Sequence, residues 1–337
     1  MTSTATTGAT TSSGVDGGTM RDGASPPPDA TTGHDASGFD APVDAPVPTL
    51  DGPLPMLDAD LPGDGGASRC TATSTMITCT EQTFTITTPA GSDEEAGTTY
   101  PAYQRVVYYQ VPLGTPPASG WPVVFMFQGS FLSAQYTFSA TSAEDYGMYY
   151  QTGVVKVLLD AGYAVLAPEA LDSGETYWQT NISPYAADWS GSPDDLLIQA
   201  MLADVANGTF GHLDPSRLFA TGISSGGYMS SRMAISYVGK FRALAIESGA
   251  YATCLSGASV ITDGECTVPT LSATHPPTLF LHGNLDTVIV PEWTVTAYET
   301  ALKAAGVAYK EVDDADAGHQ WIPEAPAAVL SWFNTYR

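Results

Sequence analysis

Basic side chains are scarce in this sequence: 11 Lys and Arg stand against 36 Asp and Glu, a formal charge of −25. Phosphate-rich and anionic surfaces repel such a chain, so nucleic acid and acidic membranes are excluded as partners. Cysteine is also sparse, at four residues, with no C-x-x-C and no His beside a Cys. That pattern offers no zinc site. No apolar run is long enough for a membrane span, and the N-terminal stretch has no apolar signal-peptide core. Aliphatic side chains are few in residues 1–66, where Phe39 is the one aromatic and Thr, Ser, Gly, Ala, Pro and Asp dominate. A stretch of this kind buries too little apolar area to offset its ordering entropy, and its prolines favour extended, solvated backbone. It is therefore expected to be a disordered leader, the tail of an exported protein whose signal has been removed, ahead of a catalytic domain at 67–337. A monomer is expected.

The four cysteines fall as two close pairs, Cys70 with Cys79 and Cys254 with Cys266. Three connectivities are possible, and local pairing is the simplest; four free thiols is the alternative. Disulfides place a protein outside the cytoplasm.

From Cys70 onward, strand-like and helix-like segments alternate. Residues 81–89 and 104–112 alternate apolar with polar and suit antiparallel edge strands. Residues 122–127, 163–168, 217–221, 243–247 and 278–282 are nearly continuous apolar runs, the pattern of strands buried on both faces of a parallel sheet. Helices are expected at 149–161, 194–206, 225–237, 291–305 and 323–336. The fold class is thus α/β, a mostly parallel sheet flanked by helices. One segment breaks the alternation, 171–193, polar and turn-rich with four aromatics. A loop so long in a compact domain is more often functional than idle, and it follows a strand at the edge where open α/β sheets bind ligands. A surface loop packed on its own aromatics is the plainer alternative.

The strongest chemical signal is Gly222-Ile223-Ser224-Ser225-Gly226-Gly227, directly after one apolar strand and before a helix. A nucleophilic serine on a tight strand-to-helix turn needs glycines where side chains would collide. Ser224 is the expected nucleophile, and the N–H of Ser225, at a helix N-terminus, an expected oxyanion donor. A serine hydroxyl needs a base, which in this architecture follows both nucleophile and acid. Of five histidines, His34, His212, His275 and His282 lie too early or in the wrong context, leaving His319 in Ala317-Gly318-His319-Gln320-Trp321. Asp286, four residues past an apolar run, is the expected acid, with Glu247 in reserve. The turn Gln128-Gly129-Ser130-Phe131 after an earlier strand suggests Ser130 N–H as second oxyanion donor, with Phe131 behind it. Such chemistry needs no cofactor.

As a set, GISSGGYMSSRMA, the ESGAY strand end, LHGNLDTVIVP and GHQW resemble the polyhydroxybutyrate depolymerase and feruloyl esterase group of α/β-hydrolases, over roughly residues 100–337. The resemblance implies an exported carboxylester hydrolase acting on polyesters or plant cell-wall esters. It implies Ser224, Asp286 and His319 as triad, Ser130 in the oxyanion turn, and Trp321 as an aromatic of the cleft. Gln128 departs from the group's usual His, and Ser130 from its frequent Cys. With Trp178, Tyr185 and Trp189 of the 171–193 segment, Trp321 is expected to form a flat apolar cleft. GGYM and the LHG-x-x-D run also resemble the catalytic domain of prolyl oligopeptidase-type peptidases, whose large preceding domain has no counterpart in the short polar leader. A serine peptidase and a non-catalytic hydrolase-fold protein are the two alternatives.

Overall fold

The structure is a computed structural model that describes residues 67–93, 98–170, 177–254 and 266–337. The expected leader at 1–66 and the first part of the 171–193 segment lie outside these. In chain order the strands are β1 (Cys70–Ala72), β2 (Met76–Cys79), β3 (Gln82–Thr88), β4 (Gly91–Asp93), β5 (Thr98–Tyr100), β6 (Tyr103–Gln110), β7 (Trp121–Phe127), β8 (Ser139–Thr141), β9 (Ala164–Pro168), β10 (Leu213–Ile223), β11 (Phe241–Glu247), β12 (Thr278–Gly283) and β13 (Tyr309–Asp314). The helices are α1 (Met148–Asp160), α2 (Pro193–Asn207), α3 (Ser225–Ser236), α4 (Pro291–Ala304) and α5 (Ala325–Thr335).

Eight strands form the central sheet, in the order β13-β12-β11-β10-β7-β9-β6-β3. Pairing is parallel from β13 through β9 and antiparallel at β9–β6 and β6–β3. The two alternating segments thus sit at one end and the continuous apolar runs in the middle, where helices cover both faces.

Side-chain alternation along a strand explains why those runs must be apolar throughout. In β7, Val123, Phe125 and Phe127 join a core with Leu197 of α2, Met229 of α3 and Tyr298 of α4. Val124 and Met126, pointing the other way, join a second core with Val154 of α1 and Phe333 of α5. Helix ends follow local chemistry. The Ser192 hydroxyl caps α2 by accepting the Asp195 N–H at 3.1 Å, Pro193 occupies the first turn, and Gly208 ends the helix at φ 81°.

Both cysteine pairs are disulfides of local connectivity, Cys70–Cys79 and Cys254–Cys266. The first joins facing positions of the β1–β2 hairpin. Among the described residues no helix is long and apolar enough to cross a membrane.

Candidate active site

Three chain crossings at the carboxyl edge of the sheet build one site. At the end of β10, Ser224 adopts φ 55°, ψ −123°, a left-handed conformation that a side-chain-bearing residue rarely takes. Its N–H donates to the Glu247 carbonyl of β11 at 3.0 Å, and α3 begins at the next residue. The flanking glycines are sterically required. A Cβ on Gly222 would lie 2.7 Å from the Gly226 carbonyl oxygen, and one on Gly226 would lie 2.6 Å from that of Gln128. As the first residue of α3, Ser225 has an N–H without an intrahelical acceptor. Its hydroxyl accepts the Trp178 N–H at 3.0 Å, which ties Trp178 to the turn of Ser224.

After β12, the chain turns so that Asp286 Oδ1 accepts the N–H groups of Val288 (2.8 Å) and Ile289 (2.9 Å). Its Oδ2 lies 2.8 Å from His319 Nδ1 and 3.1 Å from His282 Nε2. Burial alone would push the Asp286 carboxyl up, but the hydrogen bonds from His282 and His319 outweigh it and hold the group below the usual carboxylate range. Since Nδ1 of His319 faces a carboxylate, it carries the proton, and Nε2 is left as the free lone pair. His282 Nε2 sits between Asp286 and the Ile289 carbonyl, 2.7 Å away, so it too must be a donor. This second histidine on the acid is foreshadowed in the sequence only by the four-residue spacing of His282 and Asp286.

The turn after β7 closes with Leu132 N–H donating to Gly129 O at 3.3 Å, and it holds Phe131 at φ 63°. Gln128 is buried beneath it. Its Oε1 accepts the Ala170 N–H at 3.1 Å, and its Nε2 donates to the Leu132 carbonyl. The glutamine that departs from the family pattern thus ties the far end of the turn carrying Ser130 to the chain just after β9.

These segments enclose a cavity of about 480 Å³ lined by Ser130, Phe131, Ser224, Ser225 and His319 together with Gly129, Leu132, Tyr146, Tyr177, Trp178, Asn181, Ile182, Ile223, Tyr228, Val288 and Ile289. Ser224 and His319 therefore face one space, and Asp286 stands behind His319.

The aromatic cleft needs correction. Trp321 is fully buried in the core beside α1, its Nε1 donating to Gln151 Oε1 at 2.9 Å, and it does not line the cavity. Trp189 is buried under Arg232, whose guanidinium lies 5.0 Å from its ring centre, and Tyr185 is half-buried away from the cavity. Trp178 does line the cavity, but as a buried floor, with Nε1 bonded to Gln128 O at 3.0 Å and its ring edge-on to Phe127. Indole and phenol groups in a polar, turn-rich segment look like a binding face in sequence. The indole N–H groups of Trp178, Trp189 and Trp321 are instead satisfied inward, which is what lets large aromatics bury. Of the five expected binding aromatics, Phe131 alone is exposed at the cavity. Sequence reasoning missed Tyr146, Ile182, Val288 and Ile289, which occupy turns without periodicity.

Glu247, the alternative acid, is fully buried at the end of β11. Neither of its carboxyl oxygens makes a hydrogen bond of ordinary geometry. Burial, with added repulsion from Asp286, Glu324 and Asp314, pushes it well above the usual range. The fold therefore favours its neutral form. The unfolded chain ionises it near 4.5, so its contribution is intact below that pH and declines as pH rises toward the folded value, by at most about 1.4 kcal/mol per pH unit. Glu247→Gln is expected to flatten this decline. Urea unfolding at pH 5 and pH 8 should show a smaller loss in the variant than in the parent; equal losses would mean that Glu247 is ionised in the fold.

No family model matches the chain. Over 233 residues it is 47% identical to the poly(3-hydroxyoctanoate) depolymerase of Pseudomonas fluorescens, covering 69% of this chain and 80% of that one. The chain belongs to the polyhydroxybutyrate depolymerase-like group of α/β-hydrolases. It is a carboxylic ester hydrolase. Acetylxylan esterase A of Aspergillus oryzae is a more distant relative of this depolymerase-like chain, 27% identical over 206 residues, 55% of this chain and 65% of that one. Among solved structures, the S-formylglutathione hydrolase of Agrobacterium tumefaciens aligns over 79% of this chain and 98% of its own at 14% identity and a TM-score of 0.46.

Proposed function

We propose that residues 67–337 are the catalytic domain of an extracytoplasmic polyester depolymerase using Ser224, His319 and Asp286, preceded by a leader at 1–66. The observation that carries this reading is the 2.8 Å contact of His319 Nδ1 with a carboxylate kept ionised, while His319 and Ser224 line one cavity. His319 Nε2 takes the Ser224 proton as Oγ attacks the ester carbonyl. The N–H groups of Ser225 and Ser130 receive the oxyanion, aided by the α3 N-terminus. His319 then passes the proton to the departing alcohol, and the same nitrogen activates the water that releases the acid. Asp286 keeps the imidazole in the required tautomer and stabilises the imidazolium. An aliphatic hydroxyalkanoate polyester is favoured over a plant ester by the Pseudomonas relative's depolymerase name and by the apolar lining, where Leu132, Ile182, Ile223, Val288 and Ile289 meet the substrate. Two disulfides suit an oxidising compartment.

Ser224→Ala should lower kcat on p-nitrophenyl butyrate by about 10⁴-fold or more and abolish labelling by a fluorophosphonate probe. A Ser224→Ala protein that still labels would remove Ser224 from the role of nucleophile. Faster turnover of the matching anilide than of the ester would redirect the assignment to a peptidase.

A further inference from the structure

Two aromatic side chains that line the cavity are costly to the fold. Phe131 is 79% exposed and Tyr146 50% exposed, and both have left-handed backbone, at φ 63° and φ 58°. They are two of only four such non-glycine residues among those described; the others are Ser224 and Ser248, at the nucleophile turn and directly after Glu247. A bulky aromatic at positive φ costs on the order of 1 kcal/mol, and its exposure leaves apolar surface in water. They come from separate segments. Phe131 lies in the turn after β7, and Tyr146 lies in the turn before α1, where its carbonyl accepts the Trp321 N–H at 2.9 Å. A third segment adds Val288, which lines the cavity, and Leu285, whose N–H donates to the Ala317 carbonyl near His319; both are exposed. In a chain of net charge −25, the described residues lining this cavity include no Asp, Glu, Lys or Arg.

We propose that Phe131, Tyr146, Leu285 and Val288 form the surface by which the enzyme seats on a solid, uncharged aliphatic polyester, so that adsorption and catalysis share one face. The occupant follows from charge and continuity. A cavity wall that has no Asp, Glu, Lys or Arg among its described residues, on an otherwise acidic molecule, matches a neutral solid rather than a charged polymer or an acidic protein, and Ser224 lies within it. A chain end or loop at the solid surface then enters the cavity without the enzyme leaving that surface. The proposal rests on the polyester reading above, but its test is independent of turnover.

In a Ser224→Ala background, partition onto an amorphous poly(3-hydroxyoctanoate) latex is measured with Phe131→Asn and Tyr146→Asn combined. Asparagine tolerates left-handed backbone, so the thermal midpoint should hold or rise. Adsorption should fall by about tenfold or more, as expected when two aromatic side chains cease to be withdrawn from water. A matched pair elsewhere, Met76→Asn with Val238→Asn, removes two other exposed apolar side chains and should leave adsorption near the parent's. Unchanged adsorption in the rim variant, or an equal fall in the Met76 and Val238 control, overturns the proposal. Failure of the wild-type chain to hydrolyse a soluble ester would sink the functional reading instead, and adsorption would still report on the rim.

Discussion

Asp286→Asn is expected to lower kcat on a soluble ester by about 10⁴-fold, the scale of losing the orienting acid of a triad, and to reduce stability as well. Every acceptor position of this carboxylate already faces a donor. Val288 and Ile289 N–H groups meet Oδ1, while His319 Nδ1 and His282 Nε2 meet Oδ2. An amide NH₂ placed at the Oδ2 position drives His319 to the tautomer with a bare Nδ1 and a protonated Nε2, which cannot accept the Ser224 proton. Placed at the Oδ1 position, it opposes two backbone donors and loosens the turn that carries Val288 and Ile289 into the cavity. Neither rotamer escapes. Steady-state kinetics beside thermal unfolding checks both parts, and the Glu247→Gln protein supplies the contrast. If activity survives in Asp286→Asn and collapses in Glu247→Gln, the buried glutamate is the orienting acid.

That contrast shows which parts of the site the sequence made legible. That Ser224, His319 and Asp286 meet at one place was accessible because each follows from a rule of order and local geometry: a glycine-flanked serine between strand and helix, a late histidine in a turn, an acid just past an apolar run. The parallel sheet was accessible for a similar reason, since strands such as β7 must be apolar at every position to serve two cores. β13 was harder to see, because at the sheet edge YKEVDD needs no apolar run. Neither the burial of Glu247 without a partner nor His282's hold on Asp286 is written in residue type. Both depend on which groups the β11 and β12 ends bring together in a desolvated space. The rim was invisible for the opposite reason, because Tyr146 lies in a polar turn whose composition reads as ordinary surface. Its meaning comes from a backbone angle and a neighbouring cavity.

Trp321→Ala should cost about 3–5 kcal/mol of stability, and it separates the buried tryptophan seen here from the cleft aromatic that the motif GHQW suggests. The indole is fully enclosed against α1 and α5, so truncation leaves a cavity that the packed helices cannot easily close. It also removes the partner of Gln151 Oε1, whose amide otherwise bonds Thr137 from 2.9 Å. An unpaired buried carbonyl adds roughly 1–3 kcal/mol unless it rotates to a new donor. Because Trp321 lies two residues after His319 and its N–H holds the Tyr146 carbonyl, loosening it shifts both the base and one side of the rim. Activity on p-nitrophenyl butyrate and on polymer latex should then fall by similar factors, alongside a lower urea midpoint. A selective loss on polymer with an unchanged midpoint would return Trp321 to the substrate face and contradict its burial. The same measurement on Phe131→Asn is expected to give the reverse pattern, an unchanged or higher midpoint with the larger loss on polymer, since that side chain spends its apolar area outward.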